Sequence, residues 1–206
     1  MTRTRIRAGG VRCRAMARPT RSPLRWWPGA SRKAELAVSE RLVLTALRID
    51  DALDHADSLR DPEVAKWQGY DEPAIERLTL GLSRSLSYRF RGNPMELAVR
   101  DRTTGAFVGT FAYVQDVTDL LGDSVILGWW LVAEHRGRGL GHESLQMVLR
   151  WLHDEVLVGT IRMGTISDNV RAVAQIERTG ARFQHEHPTL LPNGTAPMGK
   201  WYVHEL

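Results

Sequence analysis

The sequence predicts one α/β domain in which a mixed sheet of about six to seven strands is flanked by helices. Two patterns lead to this fold class. Residues 124–166 read as a strand, a helix and a second strand, which indicates a crossover between neighbouring parallel strands. Residues 95–114 read as two strands joined at a DRTTG turn, which predicts an antiparallel hairpin. At 206 residues, 43% of them hydrophobic, the chain is long enough for one sizeable core.

The first half of the domain is expected to contain a strand and two helices. Residues 41–47 (RLVLTAL) predict the strand. Apolar residues then recur at helical spacing in two sets: Ile49, Leu53, Ala56 and Leu59, then Ile75, Leu78, Leu82, Leu86 and Phe90. Pro62 should end the first helix and Gly92-Asn93-Pro94 the second, because these residues do not continue a helix.

The second half should hold the parallel part of the sheet. Residues 124–133 (SVILGWWLVA) are nearly all apolar, as in a strand that is buried on both faces. A helix is expected over residues 141–157, and further strands over residues 160–166 and 200–206.

Charge is unevenly distributed along the chain. Residues 1–33 hold ten Lys or Arg and no acidic residue, which leaves 18 basic against 24 acidic residues in the remainder. Residues 1–38 are therefore predicted to be a basic tail, either disordered or present because the start was assigned too early, with Met16 as the alternative start. Residues 39–206 form the predicted domain. Contact with nucleic acid is expected only through the tail, if at all.

Cysteine content and hydropathy bound the remaining classes. Cys13 is the single cysteine, so an intrachain disulfide and a cysteine-based metal site are excluded, and a reducing, cytoplasmic setting is expected. The sequence has no apolar run of the ~18 residues that a membrane span requires. We therefore expect no membrane contact and no metal cofactor.

Three alternating glycines stand where the buried strand turns into a helix. Gly137, Gly139 and Gly141 permit positive φ and close approach of a ligand to the backbone, and the first amides of the helix lack partners. This arrangement predicts an anion site, and Arg136 and Arg138 add charge suited to phosphate oxygens. Residues 136–141 are called the glycine turn below.

Other motif classes do not fit this turn. The third glycine comes one residue too early for a dinucleotide fingerprint, and residues 137–144 lack the lysine of a mononucleotide-binding loop. His142-Glu143 begins a zinc-protease motif, but Gln146 stands where the second histidine is needed. The chain also has no G-x-S-x-G hydrolase motif.

The sequence resembles the GNAT superfamily of acyl-CoA-dependent N-acetyltransferases in the order of its motifs. These are the strand GWWL, Glu134, the R-G-R-G-L-G turn, the S-D-N at 167–169 and a helix that ends in Gly180. Within it the sequence is closest to the Rim-type branch, which acetylates the N-termini of ribosomal proteins. The resemblance covers roughly residues 40–206. It implies that the sheet is splayed at its centre, where two parallel strands part and the pantetheine arm of acetyl-CoA lies in the gap.

The resemblance also implies which residues bind the co-substrate. The backbone of Leu131 and Val132 would meet the pantetheine arm and the thioester, and Asn169 would hydrogen-bond the same arm or act as an ordinary helix N-cap. The pyrophosphate would be bound largely through main-chain amides of the glycine turn: Arg136, Gly137, Arg138, Gly139, Leu140 and Gly141.

The general acid of the family does not carry over. The positions where relatives have a tyrosine or a serine are Ile176 and Ala172 in this chain. Glu134, beside His135, is a candidate base at the end of the central strand, with a purely structural role as the alternative. Five residues are candidates for the wall of the acceptor pocket, and the alternative for each is simple packing. They are Trp67, Gln68, Tyr70, His185 and His187.

The chemistry of the reaction constrains the acceptor. Deprotonating a lysine at neutral pH costs about 4.6 kcal/mol, whereas an α-amino group costs only about 1.4 kcal/mol, so a site without an evident acid or base suits an α-amine. The sequence predicts an acetyl-CoA-dependent N-acetyltransferase that acts by direct transfer on a primary amine, either a protein N-terminus or a small molecule. The alternative is a non-catalytic acyl-CoA-binding or regulatory protein on the same fold. A monomer or a homodimer is expected.

Overall fold

The computed structural model describes residues 35–205, so the predictions for residues 1–34, including the alternative start at Met16, lie outside the described residues. One part of the predicted tail is corrected. Residues 35–38 form a strand that pairs antiparallel with the next one, with Ala37 opposite Leu44 and Val38 opposite Val43. The domain therefore already includes Glu35, because this short segment can hydrogen-bond to the sheet and pack apolar side chains on its core.

The described residues form ten strands and five α-helices, in this order: β1 (Glu35–Val38), β2 (Leu42–Ala46), α1 (Ala52–Arg60), α2 (Pro62–Gln68), α3 (Glu72–Ser85), β3 (Arg89–Phe90), β4 (Asn93–Pro94), β5 (Glu96–Asp101), β6 (Phe107–Gln115), β7 (Ser124–Leu131), α4 (Leu140–Asp154), β8 (Thr160–Ile166), α5 (Val170–Glu177), β9 (Arg182–Pro188) and β10 (Met198–Glu205). Short 3-10 turns precede α1 at Ile49–Asp51 and follow β7 at Ala133–His135.

The predicted fold class is confirmed. Eight strands form one sheet in the order β1-β2-β5-β6-β7-β8-β10-β9, and β3 and β4 form a separate small hairpin. The sheet exceeds the predicted six to seven strands because β1 joins its edge. All neighbouring strands are antiparallel except β7 and β8, which α4 connects as the crossover pattern predicted.

The region between the first two helices differs from the prediction. Pro62 ends α1 as expected, but it also begins α2, because proline fits the first turn of a helix. The side chain of Asp61 caps α2 by accepting hydrogen bonds from the amides of Glu63 and Val64. Gly69 ends α2 with φ of 67°. The next helix, α3, ends at Ser85 and not at Phe90.

Two apolar clusters lie on opposite faces of the sheet. Leu97 belongs to the cluster that packs against α4, whereas Ala98 belongs to the one that packs against Leu82 of α3. Since successive residues of a strand point to opposite faces, helices cover both sides of the sheet. No helix among residues 35–205 is long and apolar enough to cross a membrane.

The parallel pair of strands separates halfway along its length. β7 and β8 pair in register from Ser124 and Thr160 to Leu127 and Met163, and no pairing follows, although both strands continue. The central splay that the resemblance implied is therefore present. It opens a gap at the carboxyl ends of β7 and β8, next to the glycine turn.

Candidate active site

A cavity of about 660 Å³ lies at this gap, between the end of β7, the glycine turn, α2 and α5. We call it the turn cavity. It brings together six of the residues predicted from the sequence to bind the co-substrate: Leu131, Arg136, Gly137, Gly139, Gly141 and Asn169.

Two glycines of the turn adopt a left-handed backbone conformation. Gly137 has φ of 72° and Gly139 has φ of 78°, which other residues adopt only at a cost. Gly139 is also the N-cap of α4. Within residues 35–205, the backbone amides from Gly137 to His142 donate to no protein acceptor. These amides and the amino-terminal end of the 15-residue α4 together suit an anion.

The third glycine is required by packing and not by φ. Gln175 of α5 donates from Nε2 to the carbonyl oxygen of Gly141 at 2.6 Å. A Cβ at position 141 would lie 3.2 Å from that nitrogen, which is tighter than ordinary contact. Gly141 thus lets α5 approach the first turn of α4 and narrow the turn cavity.

The outer side of the glycine turn is fixed by residues from the start of the domain. Arg41 donates to the carbonyl oxygen of Arg138 at 3.0 Å and forms an ion pair of 2.7 Å with Glu143. Ser39 donates to the same carboxylate at 2.7 Å. Burial acts to raise the pKa of Glu143, but the hydrogen bonds from Ser39 and Arg41 outweigh it and lower that pKa. The turn is therefore held in shape before any ligand binds.

The side chain of Arg136, a predicted pyrophosphate ligand, contacts other parts of the protein. Its guanidinium donates twice to the carbonyl oxygen of Leu131, at 2.8 and 2.9 Å, and pairs with Asp61 at 3.0 Å and with Glu63 at 3.2 Å. Its amide donates to Ala133. Arg136 lines the turn cavity, but its donors are occupied by protein acceptors, so it joins the end of β7 to the start of α2.

The backbone amides that β7 offers to the gap are those of Trp129 and Leu131. The amide of Val132 donates to Val108 at 3.0 Å, and hydrogen-bonded pairs alternate along an antiparallel ladder. The amides of Trp129 and Leu131 therefore point away from β6, toward β8. The amide of Val132 is used in the sheet and its carbonyl oxygen accepts from the amide of His135 at 3.1 Å, so the contact of Val132 with the co-substrate stays a prediction.

Glu134 does not lie on the wall of the turn cavity. It follows β7 in the 3-10 turn, which reverses the chain, and it lines a separate cavity of about 620 Å³ together with Val132 and Asp54. Its role as a base stays a prediction that the position of its side chain does not support. Of the other predicted residues, Leu140 has its side chain buried in the core, so it would contribute only its amide, whereas the side chain of Arg138 is exposed.

Asn169 combines the two roles considered for it. Its side-chain oxygen accepts from the amide of Ala172 at 3.3 Å and caps α5. The residue also lines the turn cavity, where its side-chain nitrogen is the available donor.

Two cationic residues that sequence reasoning missed line the turn cavity from α5. Arg171 and Arg178 lie on the same helix face as Gln175, at spacings of four and three residues. Arg171 contacts Glu63 at 3.4 Å with 81% of its side chain exposed. Helical spacing alone could have placed these arginines beside the glycine turn once α5 was assigned.

A second cavity of about 220 Å³ adjoins the turn cavity at the gap between the strands. We call it the gap cavity. It shares five lining residues with the turn cavity: Trp67, Gln68, Trp129, Asn169 and Ala172. Trp67 and Gln68 thus lie where an acceptor pocket was predicted. His185 and His187 instead stack on the ring of Trp201 as exposed residues of β9 and line neither cavity.

Buried titratable groups lie near Trp130. Its indole nitrogen donates to Ser58 at 2.9 Å, and its ring packs against those of His55 and Tyr70. Burial lowers the pKa of His55 to about 4, although Asp51 acts to raise it. Burial raises the pKa of Glu96, whose charge in turn helps raise that of Tyr70.

Residues 41–182 match the family model of the acetyltransferase (GNAT) domain. The chain belongs to this family. No curated protein is similar enough in sequence to match it. The matched residues include the splayed strands and the glycine turn.

Several solved structures share the fold. An acetyltransferase of the GNAT family from Bacillus anthracis is 15% identical with a TM-score of 0.66, over 82% of this chain and 97% of that one. RimL, an α-N-protein acetyltransferase of a ribosomal protein in complex with coenzyme A, is 15% identical with a TM-score of 0.69, over 84% and 98%. A chimeric spermidine N-acetyltransferase from Vibrio cholerae and hSSAT is 16% identical with a TM-score of 0.66, over 80% and 95%. Because proteins with different acceptors are about equally similar, this likeness concerns the fold.

Proposed function

We propose that the protein is an acetyl-CoA-dependent N-acetyltransferase that transfers the acetyl group directly to a primary amine. The observation that carries the proposal is that the two cavities share a wall of five residues at the gap between β7 and β8. On one side of this gap lie the amides of the glycine turn, in the turn cavity. On the other side lies the gap cavity. A co-substrate and an acceptor could therefore meet between the strands.

The residues of the turn cavity fit the parts of acetyl-CoA. The amides from Gly137 to His142 suit the pyrophosphate, and Arg171 and Arg178 suit its remaining phosphate charge. The amides of Trp129 and Leu131, together with the side-chain nitrogen of Asn169, suit the carbonyl groups of the pantetheine arm.

The chain contributes orientation and exclusion of water more than acid–base chemistry. When bound, acetyl-CoA supplies an activated acetyl group and a thiol leaving group whose pKa, near the ~8.5 of a free thiol, is low enough to depart without a strong acid. Trp129 and Trp130 shield the gap where the amine must attack. The amine must arrive neutral, and an α-amino group loses its proton about 3 kcal/mol more cheaply than a lysine. A protein N-terminus, as in the Rim-type branch, or a small amine of low pKa is the acceptor that this chemistry favours.

Calorimetric titration of acetyl-CoA tests the binding half of the proposal. Gly137→Val is matched by Gly105→Val, because both glycines have φ near 70° and open space around the missing Cβ. Only position 137 lies in the turn cavity. We expect acetyl-CoA binding to fall about tenfold or more in Gly137→Val and to persist in Gly105→Val. Equal affinities in the two variants would contradict the assignment of the glycine turn.

A second function is favoured by Ala172 and Ile176, which occupy the positions of the family's usual acids. Such a protein would bind acyl-CoA without turning it over. Release of free thiol from acetyl-CoA, measured with and without a panel of amines, separates the two functions: amine-dependent release supports the transferase, and tight binding without release supports the binding protein.

A cytoplasmic location and a monomeric or dimeric state remain predictions.

A further inference from the structure

The gap cavity has a floor without side chains. Gly128 of β7 and Gly164 of β8 are the first residues after the last paired positions, Leu127 and Met163, and both line this cavity. A Cβ at position 128 would meet nothing within 4 Å. A Cβ at position 164 would lie 2.9 Å from the ring of Trp201, so the indole lies flat across this glycine. Gly128 therefore leaves room for a ligand group, and Gly164 lets the indole of Trp201 form one wall.

The walls of the gap cavity are mostly apolar and aromatic, and their four polar side chains are uncharged: Gln68, Thr165, Asn169 and Thr189. Trp67 comes from α2, Trp129 from β7 and Trp201 from β10, and the segment between β9 and β10 adds Leu191. Leu191 packs directly on Gly69, because a Cβ added to Gly69 would lie 2.5 Å from the Cβ of Leu191. The segment between β9 and β10 and the end of α2 therefore close one side of the gap cavity. Every described residue that lines the cavity has a neutral side chain.

Such a lining discriminates among amines. A polyamine or a free amino acid would bring a second charge into a wall of indole rings and aliphatic groups, and desolvating that charge without an opposite partner is costly. An uncharged ring or branched alkyl group instead gains by being buried there. The volume of about 220 Å³ exceeds the ~150 Å³ that suffices to hold benzene.

We propose that the acceptor is a primary amine whose carbon skeleton carries an uncharged aromatic or branched aliphatic group that binds between the three tryptophans of the gap cavity. This inference rests on the proposed function for its chemistry, but the pocket is defined independently of acetyl-CoA. Gln68 and Asn169 line both cavities, so they stand where the amine would pass from the gap cavity toward the acetyl group. The group could belong to a small amine or to the first residue of a peptide.

Ligand binding to the protein without acetyl-CoA tests the pocket directly. The probes are 2-phenylethylamine, phenylalaninamide, phenylalanine, spermidine and a tripeptide that begins with phenylalanine. Calorimetry and tryptophan fluorescence measure the affinity of each probe. Phenylalaninamide and phenylalanine differ only at the carboxyl group, so we expect the amide to bind about tenfold more tightly, and both aromatic amines to bind more tightly than spermidine. The tripeptide separates the two sources of the group: stronger binding than 2-phenylethylamine indicates a peptide acceptor, and weaker binding a small amine. Preference for spermidine or for the free amino acid would overturn the inference.

A filled pocket provides the second arm of the test. Gly128→Leu places a side chain in open space within the gap cavity, and Gly81→Leu does the same on the exposed surface of α3, where a Cβ also meets nothing within 4 Å. Only Gly128→Leu should lose the affinity for 2-phenylethylamine, by about tenfold or more, in titrations without acetyl-CoA. Unchanged amine binding in Gly128→Leu would overturn the inference. If the unaltered protein does not bind acetyl-CoA, the proposed function is overturned. The amine titrations then still test the gap cavity, because they contain no acetyl-CoA.

Discussion

The side chain of Gln175 donates a hydrogen bond of 2.6 Å to the carbonyl oxygen of Gly141, and this contact fixes the distance between α5 and the start of α4. Both residues line the turn cavity. The width of the proposed phosphate site is therefore set by a glutamine that no motif identifies.

This contact predicts the effect of a methyl group at position 141. Gly141→Ala should weaken acetyl-CoA binding several-fold, because the new Cβ, 3.2 Å from Nε2 of Gln175, displaces that side chain from the carbonyl oxygen of residue 141. Adding Gln175→Ala should restore part of the affinity, since the obstructing group is then gone. Calorimetry on the two single variants and the double variant measures the coupling. Strictly additive losses would show that the two residues do not act through their contact.

Arg136 and Arg171 predict opposite phenotypes. Arg136 is 25% exposed and its donors are occupied by Leu131, Asp61 and Glu63, so Arg136→Met should cost about 1–3 kcal/mol of unfolding free energy. Arg171 is 81% exposed, so Arg171→Met should change stability by less than about 0.5 kcal/mol but lower the affinity for acetyl-CoA. Urea unfolding and calorimetry on both variants make the comparison. A stable Arg136→Met protein with weakened binding would reverse our assignment.

His55 predicts a loss of stability in acid. Burial lowers its pKa in the folded protein from 6.5 to about 4, whereas the unfolded chain keeps the ordinary value. The unfolded state therefore takes up a proton first as the pH falls. The contribution of neutral His55 to the free energy of unfolding is fully present above pH 6.5, and the free energy of unfolding should fall by about 3 kcal/mol by pH 4. His55→Phe should remove this part of the pH dependence in unfolding experiments. An unchanged slope between these pH values would show that the buried imidazole does not resist protonation.

Glu96 predicts the opposite trend with pH. Because burial raises its pKa in the folded protein, the ionised carboxylate opposes folding once the pH exceeds the unfolded value of 4.5. Glu96→Gln should therefore be more stable than the unaltered protein at about pH 8, and the advantage should shrink toward about pH 4. Glu134→Gln, at an exposed position, serves as the control. A constant difference across this range would contradict the effect of burial.

Local spacing in the sequence was enough to predict much of the fold. The strand, glycine turn and helix from residue 124 to residue 154 follow from apolar runs and positive-φ glycines, which are properties of neighbouring residues. The buried face of α1 was predicted less well. Leu53 is 79% exposed, while His55 and Ser58 are buried, because the indole of Trp130 selects polar partners there.

Long-range contacts explain the remaining differences. The motif around Arg136 predicts a phosphate ligand, but the guanidinium pairs with Glu63, which lies 73 positions earlier in the chain. That carboxylate belongs to α2, a helix whose initial Pro62 reads in the sequence as a stop signal. The neutral gap cavity likewise combines side chains from α2, β7, β8 and β10, so no segment of the sequence reveals it.

The most direct test of the central claim is mass spectrometry of 2-phenylethylamine and of a phenylalanine-initiated peptide after incubation with acetyl-CoA and the protein. Our account predicts that an acetyl group appears on the amine at a rate proportional to protein concentration, and that Gly137→Val slows this reaction while Gly105→Val does not. Tight binding of acetyl-CoA with no acetylated product from any amine in the panel would contradict the claim that the splayed strands bring an amine and an acetyl group together.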